Sequence, residues 1–445
     1  MTEPLRAGQR LMISHYTWYL REILKKVWVR VVSFALLAFL SVGLAWLLSP
    51  FLAEDIALKA GSDAVEQLLE VLTSSMLAVT TFSLSIAVAA FAAAAGTATP
   101  RAAVLLQQDR TTQNVLATFL GAFLFGLVGL IALNANLYND AGLVVIFLFT
   151  VAVIGLVVVA LIRWIDHLMS FGRMGDTLDR VEAATATALE RRLGDPYLGG
   201  RRLVGSPDTR MLPVVSRATG YVQHVDMQTI QDCAAALEVK VHLHGLPGRF
   251  IAEGAPLLWV DTDRLEEKQV EDLCGTIAIG NRRTFEEDPR FGLIVLSEIA
   301  SRALSPAVND PGTAIDILGR MVRILSLWRE RAEPDVRFAN VYVPPITAQE
   351  VFEDAFRPLA RDGAGLVEVQ IRLHKTLTAL RTMAPGTFSA PAIEMARDAL
   401  ARAEATGMLA SDLADIRAIA LSSTAADMAG DKPSDAATPQ VSPRI

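Results

Sequence analysis

Four long stretches of this sequence carry no charged side chain, and no other property restricts its fold as strongly. A helix needs roughly 20 apolar residues to cross about 30 Å of hydrocarbon. Val31 to about Leu48 meets that requirement, and no charge follows it until Glu54. The segments between Glu70 and Arg101, between Arg110 and Asp140, and between Asp140 and Arg163 also meet it. Hydrocarbon offers a backbone no hydrogen-bond partner, so each crossing must be helical. The polar linker "NANLYNDAG" is short, so the last two spans form an antiparallel hairpin. About 30 residues precede the first stretch, and no A-x-A-like cleavage site follows it. That stretch is therefore expected to be a retained span and not a signal peptide.

Orientation follows from lysine and arginine near the span ends. The N-terminal arm carries Arg6, Arg10, Arg21, Lys25, Lys26 and Arg30. The next connection holds Glu54, Asp55, Asp63 and Glu66 against a lone Lys59. Arg101 and Arg110 follow, then Asp140 alone, then Arg163, Arg173 and Arg180. This alternation predicts a multi-pass membrane protein with both termini cytoplasmic. Trp18, Tyr19 and Trp28 among the cations of the arm suit an interfacial helix.

The second span, "SSMLAVTTFSLSIAVAAF", is rich in hydroxyls. At 100° per residue, Thr73, Ser74, Thr80, Thr81 and Ser85 share an arc of roughly 140°. Ser75 and Ser83 lie off it, and Val79, Phe82 and Ile86 occupy the opposite side, which suits lipid. Two readings follow. Small and hydroxyl side chains let helices approach closely, as Gly121, Gly126 and Gly129 do in the third span. Alternatively, the arc lines a water-accessible path in a homo-oligomer. No ionisable residue interrupts a span, which disfavours proton relays and ion-coupled carriers.

After the spans the charges return. The chain has 445 residues and is 52% hydrophobic, so a membrane part followed by a soluble part is expected. The fold class is membrane α-helical, with four transmembrane helices followed by a cytoplasmic α+β region. We divide the chain into an arm (1–30), a span domain (31–165) and a helical extension with linker (166–200). A small β-rich subdomain (201–262), a mainly helical subdomain (263–428) and a disordered tail (429–445) follow. In the β-rich part, "GYVQ", "PGRF" and "EGAPL" come in the order of the β-sandwich of biotinyl and lipoyl carriers. The hairpin tip is "HGLPGR", without a lysine, so the likeness is one of shape without carrier chemistry.

Candidate chemistry is sparse. His242 and His244 share a strand face but lack an evident third ligand, and Cys233 and Cys274 have no metal-type spacing. No GxSxG, P-loop or HExxH occurs. Catalytic, metal and cofactor residues are therefore expected to be none. Asn309 or Asp310 can cap a helix whose first turn holds Pro311. Arg282, Arg283 and Asp288 of "GNRRTFEEDP", with Asn309 and Asp310, form a second candidate cytoplasmic site, built on salt bridges or a lipid headgroup. The net charge is −7 and no Lys/Arg block occurs, so no nucleic-acid partner is expected.

Several pieces together are familiar: "TPRAAVLLQQDRTTQNVLATFLGAFLF", "ATGYVQHVD", "LPGRFIAEGAPL" and "EEDPRFGLIVLSEIASRALSPAVNDPGTAID". In that order they resemble a bacterial family of predicted integral membrane proteins, domain of unknown function number two-two-five-four. The resemblance covers nearly the whole chain except the arm and tail. It brings no reaction, ligand or catalytic residue. The alanines at 92–95 and Ala117 depart from it and weaken a hydrophilic path near the cytoplasmic end. The expected function is a non-enzymatic inner-membrane protein with a cytoplasmic sensing or scaffolding domain. The alternative is an oligomeric channel or transporter with a hydroxyl-lined second span. The expected partners are the lipid bilayer, further copies of the chain and an unidentified cytoplasmic protein.

Overall fold

The computed structural model describes residues 27–48, 62–107, 109–135, 137, 140–205, 210–328 and 334–430. Most of the 1–30 arm and of the 429–445 tail lies outside the described residues. The chain divides into two compact units, Met1–Thr177 and Leu178–Ile445.

The first unit is helical: α1 (Val27–Leu48), α2 (Ser62–Thr97), α3 (Pro100–Gln107), α4 (Arg110–Asn134) and α5 (Asp140–Leu168). Three described stretches are long and apolar enough to cross a membrane: Asp63–Thr97, Arg110–Asn134 and Gly142–Leu168. The span expected at 31–48 falls on α1, where the apolar run among described residues is shorter, Val31–Ser41. Helix α4 is central and packs on α1, α2 and α5. Its glycines set the spacing. A Cβ on Gly121 would sit 2.5 Å from the Phe34 ring, one on Gly126 would strike the Thr73 hydroxyl, and one on Gly129 would touch Leu69. Leu69, Leu72, Phe119, Phe125, Ile146 and Trp164 fill the core. The opposite faces stay bare: Phe39, Phe82, Ile131, Leu148 and Ile162 are each more than 60% exposed.

In the second unit, α6 (Met174–Gly194) contributes its residues from Leu178 on. Leu178, Val181, Thr185, Ala188 and Arg192 recur every three or four residues along its buried face, which Leu189 widens. Eight strands follow: β1 (Arg201–Arg202), β2 (Leu212–Val215), β3 (Gly220–Val225), β4 (Val241–Leu243), β5 (Phe250–Ile251), β6 (Pro256–Val260), β7 (Ile277–Gly280) and β8 (Val341–Val343). They form a mixed five-stranded sheet, β1-β8-β4-β6-β2, and a three-stranded sheet, β5-β3-β7. Strand β8 runs parallel to both β1 and β4, and β7 is antiparallel to β3. The strands of 201–262 are thus completed by two that lie later in the sequence. Gly220 allows a close crossing, since a Cβ there would sit 2.6 Å from the Gly280 carbonyl oxygen.

Helices α7 (Met227–Ala236) and α8 (Glu267–Gly275) share the core of the strands through Met227, Ile230 and Leu273. Asp226 caps α7 by accepting from the Thr229 amide. The sequence suggests that Asp263 opens a helix running to Ile279. Instead α8 starts after Glu266 in a capping box with Gln269, and Ile277–Gly280 is β7. The remaining helices are α9 (Pro289–Ala303), α10 (Pro311–Leu325), α11 (Ala348–Asp362), α12 (Val367–Met383), α13 (Pro385–Glu404) and α14 (Ala410–Gly430). Phe352, Phe356 and Phe388 are fully buried among them, the Phe352 ring 5.2 Å from that of Phe388. Arg320 of α10 ties that helix to α6, bonding Asp179 at 2.6 Å and Glu182 at 2.8 Å, with Asp316 of its own helix at 2.7 Å.

His374 on α12 is 1% exposed, and neither ring nitrogen has a hydrogen-bond partner. Burial lowers its pKa to about 4. The unfolded chain takes up that proton near pH 6.5, roughly the ordinary histidine value. Protons therefore bind the unfolded state first as pH falls. Stability is full above about pH 6.5 and is lost down to about pH 4, by about 3 kcal/mol in total. His374→Leu should flatten that acid limb when the thermal midpoint is followed between pH 7 and roughly pH 4.5. Equal slopes in the variant and the parent would refute the assignment.

Candidate functional site

The second unit carries a cavity of about 320 Å³ that opens to solvent. Its wall comes from separate parts of the sequence. The last turn of α6 supplies Arg192, and the turn after β4 supplies Leu246 to Arg249. The approach to α9 supplies Arg283, Glu287 and Asp288, α9 itself supplies Arg290, and the segment from β8 to α11 supplies Pro344 to Ile346 and Glu350.

Local chemistry explains how these groups are held. Asp288 caps α9, accepting from the Phe291 amide at 3.1 Å, and Pro289 fits the first helical turn. Arg283 forks onto the same carboxylate at 2.7 and 3.0 Å. Asp288 is 3% exposed. Burial pushes its pKa up, while Arg283 and the Phe291 amide pull it down. Gly248 has φ +88°, and a Cβ there would collide with the Asp288 carboxylate. Glycine is therefore required for the "LPGR" turn to lie against Asp288. Arg290 bonds Glu350 and Asp354, each at 2.6 Å. Glu287 contacts His224 at 2.6 Å, and this hydrogen bond raises the histidine pKa.

Two cations differ. Among the described residues no carboxylate salt-bridges Arg249, which donates from Nη1 to the His244 carbonyl at 3.0 Å. Arg192 is 7% exposed, and its Nε and Nη2 have no hydrogen-bond partner. Burial lowers its pKa to about 10, against the pull of Asp195, Asp288 and Glu287. It remains charged at neutral pH. A second cavity of about 300 Å³ shares Arg192 and Glu287 with the first and adds His224, Asp226 and Arg337.

The structure brings Arg283 and Asp288 together in this wall. Arg282 is exposed and outside the lining, with its carbonyl accepting from Gln223 at 2.8 Å. Asn309 and Asp310 stand at the start of α10. Asn309 has φ +51°, and Asp310 caps α10 by accepting from the Thr313 amide at 3.1 Å. Neither lines the cavity. Arg192, Arg249, Arg290 and Glu350 were not singled out from sequence. For Arg192 the signal was there, in the three- and four-residue spacing of the buried face of α6. His242 and His244 lie at β4, where burial lowers both pKa values. Among the described residues no group of three or more His, Cys, Asp or Glu is arranged to hold a metal.

In the first unit the hydroxyls of α2 bond back to their own helix. Thr73 donates to the Leu69 carbonyl at 2.7 Å, Ser74 to Glu70 at 2.8 Å and Thr80 to Met76 at 2.6 Å. Thr81 donates to Leu77 at 2.5 Å and Ser85 to Thr81 at 2.9 Å. Thr73 and Thr80 are half-buried, whereas Ser74, Thr81 and Ser85 are exposed. The buried hydroxyl of this helix is Ser83, off the arc. Val79, expected to face lipid, instead packs on the core, while Phe82 is 69% exposed.

A polar cluster, also missed in the sequence, joins the start of α4 to the end of α5. Asp109 caps α4 through the Thr112 amide at 2.7 Å, and His167 Nε2 lies 3.0 Å from Asp109 Oδ2 and 3.2 Å from Thr112 Oγ1. The Phe171 ring packs 4.7 Å from that of His167.

Three apolar helices of spanning length, with bare apolar faces, define a membrane protein by class. The chain belongs to the family described as "Predicted membrane protein (DUF2254)", whose model matches residues 25–379. Uncharacterised proteins of Mycobacterium bovis and Mycobacterium tuberculosis are each 30% identical to it over 241 residues. Those matches cover 51% of this chain and 45% of each relative. The matched region thus spans about half the length of these curated relatives. No solved structure matches the chain.

Asp288→Ala removes a helix cap and strands Arg283 inside the wall. It should cost about 3 kcal/mol, read as a fall of roughly 5–10 °C in the unfolding midpoint of the second unit. Asp288→Asn keeps the cap acceptor and should cost less. Indistinguishable midpoints for both variants and the parent would contradict this account.

Proposed function

We propose that the chain is a four-span protein of the bacterial inner membrane with both termini cytoplasmic. Its second unit senses a small solute, and the protein is not an enzyme. The observation that carries the membrane reading is the bare apolar surface of α2, α4 and α5. Helix α1 supplies the fourth crossing. The alternation of basic and base-poor connections supports the orientation. The cavity holding Arg192 supports sensing over scaffolding, since a scaffold has no need of an interior cationic site. A fluorescent reporter that folds only in the cytoplasm, fused after Arg201, should be bright. An alkaline phosphatase fused there should be inactive. The reverse pattern would end this reading.

One observation favours a second reading. Ser74, Thr81 and Ser85 face away from the packed side of α2, so packing among the described residues of one chain does not account for them. In a homo-oligomer that face meets another copy or lines a path. Thr81→Leu and Ser85→Leu should then change solute flux or current through reconstituted protein. Absence of flux in the parent protein would remove the channel reading.

A further inference from the structure

Arg192 differs from the other buried charges of the cavity wall. Each carboxylate in the lining has its own partner: Asp288 has Arg283, Glu350 has Arg290, and Glu287 has the His224 imidazole. Arg192 and Arg249 are the lining cations that no carboxylate bridges among the described residues. Arg192 is also the more costly of the two to leave so, because it is buried. A guanidinium presents its donors as a planar fork that matches two oxygens of a phosphoryl group. Arg249 is exposed and adds a second positive charge from the turn held against Asp288. The rest of the wall is apolar and stiff, with Pro247, Pro344, Pro345 and Ile346. A volume of about 320 Å³ suits a small molecule.

We propose that this cavity binds the phosphoryl group of a small phosphate ester, with Arg249 donating to its oxygens and Arg192 supplying positive charge from within the wall. A soluble metabolite and a phospholipid headgroup offer the same chemistry. The proposal rests on the sensing reading for its biological use alone. Failure of binding removes the ligand, whereas a mislocated reporter after Arg201 removes the sensing reading and leaves binding intact.

The test uses the full chain in neutral detergent. Inorganic phosphate and glycerol 3-phosphate are titrated against chloride at matched ionic strength, and heat and thermal midpoint are followed. Saturable binding and stabilisation are expected. Arg192→Gln should weaken binding about tenfold or more, and Arg249→Gln should weaken it several-fold without loss of folding. Without phosphate, Arg192→Met should melt at or above the parent temperature, because it removes an unpaired buried charge. An arginine held only for structure would give the opposite. In bilayers of phosphatidylcholine with or without phosphatidylglycerol, stabilisation that depends on phosphatidylglycerol and Arg192 would assign the lipid as the source of the phosphoryl group. No saturable response to any of the three phosphates, or equal binding by parent and both glutamine variants, would overturn the proposal.

Discussion

Hydrocarbon contact governs the first unit, and its other features answer to it. Phe82, Ile131, Leu148 and Ile162 stand outside any protein core. In water each would cost on the order of 1.5–3 kcal/mol relative to burial. A lipid environment removes that cost and replaces it with another, because no polar group on those faces finds water. The exposed hydroxyls of α2 meet this demand by donating to carbonyls one turn back. Where α4 starts and α5 ends, Asp109, Thr112 and His167 satisfy one another. The same solvent explains the glycines of α4. Lipid tails are as apolar as leucine, so helices gain little from hiding apolar surface and must gain from close contact instead. Gly121 against Phe34 and Gly126 against Thr73 supply that contact.

The second unit faces the reverse problem. Its core is apolar by ordinary burial, and its interior charges must be paired. Arg320 is 8% exposed and meets three carboxylates, and Arg323 forks onto Glu182 at 2.6 and 2.8 Å. These bonds fix α10 against α6 with defined geometry, which apolar contact alone does not. Helix α6 thereby becomes a rigid strut, clamped through Asp179 and Glu182 near one end and carrying Arg192 at the other.

What the sequence discloses divides along physical lines. Long apolar runs are visible because no fold of a water-soluble chain needs them. The caps at Asp226, Asp288 and Asp310 are visible because capping is local, and each accepts from the amide three residues on. The mixed sheet is not visible, since β8 reaches β1 and β4 from more than 90 residues beyond β4, and three residues carry no periodicity of their own. For α2 the wheel gives the hydroxyl arc but not which side packs. That depends on where α4 lies, so Val79 goes inward and Thr81 outward. In the cavity wall, Arg283 and Asp288 are legible because five residues separate them. Arg192 comes from a distant helix, and its place in the last turn of α6 is equally well explained by the helix dipole.

The dipole does not explain its burial. A lysine or arginine that complements a helix C-terminus does so from the surface, with its charge in water. Arg192 is buried with two nitrogens unbonded, beside carboxylates engaged elsewhere. A leucine or methionine there would fill the same space at lower cost, because breaking up or leaving unpaired a buried charge is more costly than replacing it with hydrocarbon. Arg283 and Arg290 show that this wall is able to pair a guanidinium fully. The one that is both unpaired and buried, Arg192, marks the position where folding stability is spent on something other than folding, and the neighbouring cavity gives that expenditure a chemical object.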